Sequence, residues 1–271
     1  MIRPGMPAAE TDGSRHAPRR RFGQHFLVDR DVIADIVRAI APCKDDRMVE
    51  IGPGPGALTR PLLRSLRHLH AVEIDRDLVS HLRQSFPAER LTLHPVDALL
   101  FDFSTLGPRL RVIGNLPYNI STPLLFHLAR FAGALRDLHV MLQREVVARM
   151  VAEPSTPDYG RLSVMLQYRF DMEQLFVVPP ECFRPAPKVE SAVVRLLPQA
   201  RPLIDADREM LLASIVSAAF SQRRKTLRNT LHAHLGPRDY DALGIDPGWR
   251  AENLSTAQFI AIANHLSSPS G

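Results

Sequence analysis

The stretch Met48–Ser65, Met-Val-Glu-Ile-Gly-Pro-Gly-Pro-Gly-Ala-Leu-Thr-Arg-Pro-Leu-Leu-Arg-Ser, decides the fold. Met48–Ile51 predicts a short buried strand. It runs into the turn Gly52-Pro53-Gly54-Pro55-Gly56 and then a helix over Ala57–Ser65. Glycines at such a turn let the backbone approach a ligand, and a helix N-terminus offers free N–H groups. A plain tight turn would use the same residues, so the neighbouring elements have to separate the two readings. The next strand, Leu69–Ile74, carries Glu73 near its tip, 21 residues beyond Gly52. An acid at that distance is placed to accept both ribose hydroxyls of a bound nucleoside. Asp75 competes for that role, and Glu73 could instead cap the helix starting near Asp77. The turn has no Walker lysine, which argues against phosphate transfer, and it departs from the Gly-x-Gly-x-x-Gly dinucleotide pattern.

Further along, Leu91–Leu93 reads as a third strand leading to Asp97, an acid placed to take an adenine amine or simply a polar loop residue. Arg111–Ile113 is the fourth strand. It ends in Gly114–Ser121, Gly-Asn-Leu-Pro-Tyr-Asn-Ile-Ser. Asn115 can accept one N–H of a planar base's exocyclic amine, and the Leu116 carbonyl can accept the other. Pro117 biases Leu116 away from helical geometry, and Tyr118 offers a stacking face. A turn after a strand is the plainer alternative. A helix over Thr122–Arg130, a strand over Leu138–Leu142 and helices over Gln143–Val151 and Arg161–Tyr168 follow. A sixth strand spans Phe170–Val178. The loop Pro179–Lys188 holds four prolines and is therefore stiff. Its aromatic, Phe183, is either a plug under the loop or a second stacking face opposite Tyr118. Val189–Leu197 is expected to close the sheet, with Ser191–Arg195 as hairpin partner of the sixth strand. Strands alternating with helices predict an α/β doubly wound, Rossmann-like sheet.

Both ends differ in character. Residues 1–18 read as a disordered tail, and Arg15, His16, Arg19, Arg20 and Arg21 form a basic run leading into the fold. Phe22–Val28 is apolar enough to fold over something, and Asp29 predicts the N-cap of a helix stopped by Pro42. From residue 200 to 271 only helical patterns occur. Leu211, Leu212, Ile215, Val216 and Ala219 share one helix face. In Ser221–Asn229 the cations Arg223, Arg224, Lys225 and Arg228 crowd into six residues. A helix there would put Arg224 and Arg228 on one face, for RNA phosphates or for solvent. The expected domains are thus 19–199 and 200–271.

Composition sets outer limits. The 271 residues carry 34 Lys plus Arg against 29 Asp plus Glu, a formal charge of +5, which permits a polyanionic partner. The two cysteines, Cys43 and Cys182, form no metal spacing or disulfide framework, which fits a cytoplasmic location. The histidine pairs His68/His70 and His232/His234 lack a third ligand, so no metal is expected. No apolar run reaches membrane-spanning length.

Five motifs carry a closer likeness. Phe-Gly-Gln-His-Phe-Leu, Glu-Ile-Gly-Pro-Gly-Pro-Gly-Ala-Leu-Thr, Gly-Asn-Leu-Pro-Tyr-Asn-Ile-Ser-Thr-Pro, Phe-Arg-Pro-Ala-Pro-Lys-Val-Glu-Ser-Ala-Val-Val-Arg and Gln-Arg-Arg-Lys-Thr-Leu-Arg-Asn occur in that order between residues 19 and 266. The sequence resembles the bacterial small-subunit (16S) rRNA adenine N6,N6-dimethyltransferases, the RsmA/KsgA family. The resemblance implies a class I methyltransferase domain that uses S-adenosylmethionine. It also implies dimethylation of two adjacent adenosines in the 3′-terminal hairpin of 16S rRNA, within an immature small ribosomal subunit, by a monomer. Its cofactor residues would be His25, Leu27, Gly52, Gly54, Gly56, Glu73, Asp97 and Asn115. Asn115, Leu116, Tyr118 and Phe183 would hold the base, and Arg223, Arg224, Lys225 and Arg228 the RNA. His25 stands where an asparagine is common, and Glu190 where an aspartate is. The competing expectations are an antibiotic-resistance methyltransferase of 23S rRNA and an assembly factor that has lost its chemistry.

Overall fold

The computed structural model describes residues 25–200, 203–205 and 208–267. The tail, the basic run Arg15–Arg21 and the start of the Phe22–Val28 segment lie outside them. The chain opens with β1 (Phe26–Leu27) and α1 (Arg30–Ile40). Asp29 caps α1, its carboxylate accepting from the N–H groups of Asp31 and Val32. β2 (Met48–Ile51), α2 (Thr59–Ser65), β3 (Leu69–Val72), α3 (Arg76–Ser85) and β4 (Leu91–His94) form one half of the sheet. β5 (Leu110–Asn115), α4 (Ser121–Ala129), β6 (Leu135–Gln143), α5 (Arg144–Val151) and α6 (Arg161–Gln167) follow. β7 (Phe170–Val178), β8 (Phe183–Arg184) and β9 (Ser191–Pro198) end the strand-bearing part.

The seven-stranded sheet has the order β4-β3-β2-β5-β6-β9-β7. β4 to β6 run parallel, and β9 pairs antiparallel with both β6 and β7. β9 does pair with β7, but it does not close the sheet. It is inserted between β6 and β7, which leaves β7 as the edge. β7 is accordingly half exposed, whereas β9 is mostly buried.

Side-chain alternation divides the core. Val49, Ile51, Val112, Leu138 and Val140 face α4 on one side, and Met48, Leu69, Ala71, Ile113 and Met141 face α1 and α2 on the other. At the strands' amino ends Arg111 ties these layers together. Its Nε lies 2.9 Å from Asp137 Oδ1, its Nη1 2.5 Å from Asp46 Oδ2, and its Nη2 donates to the Ile40 carbonyl at 2.6 Å.

The rest is helical: α7 (Glu209–Ala219), α8 (Leu227–Thr230), α9 (Pro237–Leu243) and α10 (Thr256–Ser267). Leu212, Ile215, Val216 and Ala219 of α7 are buried with Phe259, Ile262 and Ala263 of α10 against Val164, Met165 and Tyr168. Leu211, expected on the same face, is only partly buried. The expected helix through Arg224 and Arg228 does not form. α7 stops at Ala219, residues 221–225 turn, and Thr226 is extended (φ −75°, ψ 162°). Tertiary hydrogen bonds win over helix propensity here, because the Leu227 and Arg228 N–H groups are taken by carbonyls outside the segment.

Candidate active site

The strand order reverses between β2 and β5, so a crevice opens at their carboxyl ends, where open α/β sheets bind ligands. A Cβ on Gly114 would stand 2.5 Å from the Ile51 carbonyl oxygen, so only glycine fits. Above it, Gly54 turns with φ +56°. A cavity of about 260 Å³ fills the crevice. His25, Gly52, Gly54, Glu73, Asp97, Asn115, Leu116 and Tyr118 all line it.

Glu73 lies just past β3. Its carboxylate accepts from the Asp75 N–H at 2.9 Å and the Gly54 N–H at 3.4 Å. Burial raises its pKa, against the lowering effect of those two donors. Asp75 is the residue that caps α3, accepting from the Asp77 N–H, so capping and cleft-lining fall to different acids. Asp97 accepts from Leu99 N–H through Oδ1 at 2.9 Å. The apolar walls are Ile51, from the glycine-turn motif, and Val72, Ile74, Leu78 and Val96, which carry no motif of their own.

The fourth-strand motif is held from three sides. The Asn115 side-chain N–H donates to the His25 carbonyl at 2.8 Å. A carbonyl can only accept, which settles which end of the amide is nitrogen and leaves Oδ1 as the end without that bond. The Tyr118 hydroxyl is 2.6 Å from Ser191 Oγ on β9, and burial raises its pKa against that bond. Its ring lies over the His25 imidazole, centroids 5.6 Å apart and planes 24° from parallel. His25 in turn hydrogen-bonds the Pro185 carbonyl through Nδ1 at 2.8 Å.

Three expected residues sit elsewhere. Phe183 is fully buried and packs with Leu27, Val178 and Cys182, so it is the plug under the proline loop and not a face opposite Tyr118. The cause is pairing of β8 with β1, reinforced by the Val28 and Asp29 N–H groups on the Cys182 carbonyl. Gly56 packs on Phe86 and Leu82 of the α2–α3 side and does not reach the cavity. Leu27 is a core residue that does not line this cavity and borders a small pocket of about 30 Å³ at the glycine turn. Arg223, Arg224, Lys225 and Arg228 belong to the helical part and do not line the cleft.

Glu50 also lines that small pocket. It is 2% exposed, accepts from Thr59 Oγ1 at 2.6 Å, and has a pKa pushed up to about 7. Burial is the main cause; the Thr59 hydroxyl opposes it and Glu73 adds to it. An acid in the middle of an apolar strand was the available signal.

A mixed sheet with this reversal point, an antiparallel strand inserted before its edge strand, a glycine turn and an acid past β3 fits the class I methyltransferase fold. The structural neighbours agree. The 23S rRNA methyltransferase ErmE superposes with a TM-score of 0.70 at 26% identity, covering 90% of this chain and all of that one. A dimethyladenosine transferase from Plasmodium falciparum superposes at 0.75 with 23% identity, covering 88% and 96%. The family model described as ribosomal RNA adenine dimethylase matches residues 15–268, and the chain belongs to that family. Proteins named ribosomal RNA small subunit methyltransferase A are close relatives. That of Nitrosospira multiformis is 68% identical over 93% of this chain and 97% of its own length, and that of Thiobacillus denitrificans 62% over 93% and 98%.

Proposed function

We propose that this chain transfers methyl groups from S-adenosylmethionine to N6 of two adjacent adenosines in the 3′-terminal hairpin of 16S rRNA. It acts as a monomer on an immature small subunit. The names of its close relatives favour the small-subunit target over the 23S reading. The observation that carries the chemistry is Asn115, whose amide is anchored through nitrogen on the His25 carbonyl.

The cavity's lining fits the cofactor. Glu73 takes the ribose hydroxyls, Asp97 takes the adenine amine, and the Gly52–Gly54 backbone and His25 border the remainder. The cofactor supplies a methyl group already activated on a sulfonium. The chain's own task is the nucleophile. An adenine amine is a poor one, since its lone pair is delocalised into the ring. Asn115 Oδ1 and the Leu116 carbonyl accept its two hydrogens, draw them out of conjugation and stabilise positive charge growing on the nitrogen. Tyr118 stacks on the extruded base, and Ser191 fixes that ring in turn; one face contributes roughly 1–3 kcal/mol. Holding nitrogen in line with the methyl group is orientation catalysis. No side chain has to act as base, because the proton leaves to solvent after transfer. After the first methylation one hydrogen remains for one acceptor, so the second transfer proceeds with one anchoring bond.

The helical part from residue 200 onward, with its exposed arginines, serves the RNA. Equilibrium binding of S-adenosylmethionine tests the cofactor assignment. Glu73→Ala is expected to weaken it more than tenfold, and a chain that binds none would overturn the reading.

A further inference from the structure

The basic turn is pinned by a second loop. The Leu227 N–H donates to the Trp249 carbonyl at 2.7 Å and the Arg228 N–H to the Pro247 carbonyl at 3.0 Å. Residues 246–249 form their own tight turn. The Trp249 N–H donates to the Asp246 carbonyl at 3.0 Å, and the Gly248 N–H to Asp246 Oδ1 at 2.7 Å. These bonds set Trp249 beside the start of α8, with Arg250 next in the chain. Arg224, Lys225, Arg228 and Arg250 are all exposed, and among the described residues none of them forms an ion pair with a carboxylate. Trp249 is the chain's single tryptophan. It is 39% exposed, and among the described residues its ring has no aromatic or cation–π partner.

A partly exposed indole beside cations that form no ion pair is the pairing that single-stranded nucleic acid recognition uses. The ring stacks on a base, and the cations hold the adjoining phosphates. A protein partner would instead call for carboxylates facing those cations and a wider apolar patch, and the exposed apolar group here is one ring. We propose that Trp249 is a stacking platform for an unpaired nucleotide of the substrate RNA, with Arg224, Lys225, Arg228 and Arg250 on its phosphates. This contact is additional to the base held in the cleft, and it takes RNA as substrate from the reading above.

Because the chain has one tryptophan, its emission reports this ring alone. Titration of the full chain with a short single-stranded oligoadenylate is expected to quench that emission saturably. Trp249→Ala should weaken binding, measured by anisotropy of labelled RNA, by about tenfold without changing the salt slope, and Trp249→Phe should restore most of it. The pinning bonds use the Trp249 backbone, so both variants keep the turn. Arg224→Ala with Arg228→Ala should lower the salt slope yet leave the quench at saturation. No change in emission at saturating RNA, no binding of the oligonucleotide, or wild-type affinity in Trp249→Ala would each overturn the proposal. Methyl transfer by the same preparation reports the cleft separately. Transfer with an unresponsive tryptophan refutes the platform alone, and a quenched tryptophan with no transfer refutes the reading of the cleft alone.

Discussion

The cleft and the basic turn, the two regions proposed to meet RNA, are built in opposite ways. In the cleft, Asn115, Tyr118 and Glu73 sit at strand ends and are tied by side-chain bonds to His25, Ser191 and the Gly54 and Asp75 backbone. At the basic turn the backbone is pinned to the 246–249 loop, and the cationic side chains are left exposed. Chemistry needs groups aimed within a fraction of an ångström, so one end is preorganised. Phosphate contacts act at longer range and across many RNA conformations, so exposed arginines would suffice at the other.

Substitutions should separate the two regions. The largest effect is expected from Asn115→Ala. Methyl transfer should fall by roughly a hundredfold, the scale of losing one oriented group at developing charge, with cofactor affinity much less affected. Near-normal turnover in single-turnover assays would remove Asn115 from the mechanism.

Gly114→Ala should follow, because its Cβ would meet the Ile51 carbonyl at 2.5 Å, a backbone atom that cannot swing away. A loss of at least about 2 kcal/mol in denaturant unfolding is expected, the scale of overpacking a core. Unchanged stability would mean that β2 and β5 separate more easily than their packing implies.

Glu50→Gln sharpens the comparison through pH. Burial raises the folded-state pKa of Glu50 to about 7, from the 4.5 of a free glutamate side chain. Between those values the folded chain therefore binds more protons than the unfolded one. Stability should fall as pH rises through that window and level off above it. At pH 8 the Gln variant should be more stable than the parent by about 3 kcal/mol, with the gap vanishing near pH 4. A pH-independent difference would place the carboxylate in a wetter site.

The smallest effect belongs to the turn. Arg224→Ala with Arg228→Ala should weaken RNA binding several-fold and lower the magnitude of the salt slope by about 1.4 if both side chains hold single-strand phosphates. Cofactor binding should be unchanged. An unaltered slope would make these arginines a solvated face.

The same contrast explains what could be read in the sequence. The glycine turn, Glu73, Asp97 and the Asn-Leu-Pro-Tyr motif were legible because strand alternation and turn chemistry are local, and the sheet's reversal point gathers their ends without further information. Phe183 was not legible. Whether an aromatic in a loop faces a cleft or the core depends on β1 pairing with β8, a contact between segments some 157 residues apart. The position of β9 between β6 and β7 is non-local in the same way. The Gln-Arg-Arg-Lys run has good helix formers, but carbonyls from residues 247 and 249 claim the next N–H groups. Glu50 was visible as a lone acid in an apolar strand, yet only its burial shows that it is held largely protonated at mildly acidic pH.

The most direct test supplies the purified chain with labelled S-adenosylmethionine and, in parallel, immature small subunits and large subunits from an unmethylated strain. Nuclease mapping then locates the label. Dimethyladenosine at two adjacent positions of the 16S rRNA 3′-terminal hairpin is the predicted result. Label in 23S rRNA, or cofactor bound with no label in either RNA, would contradict the account.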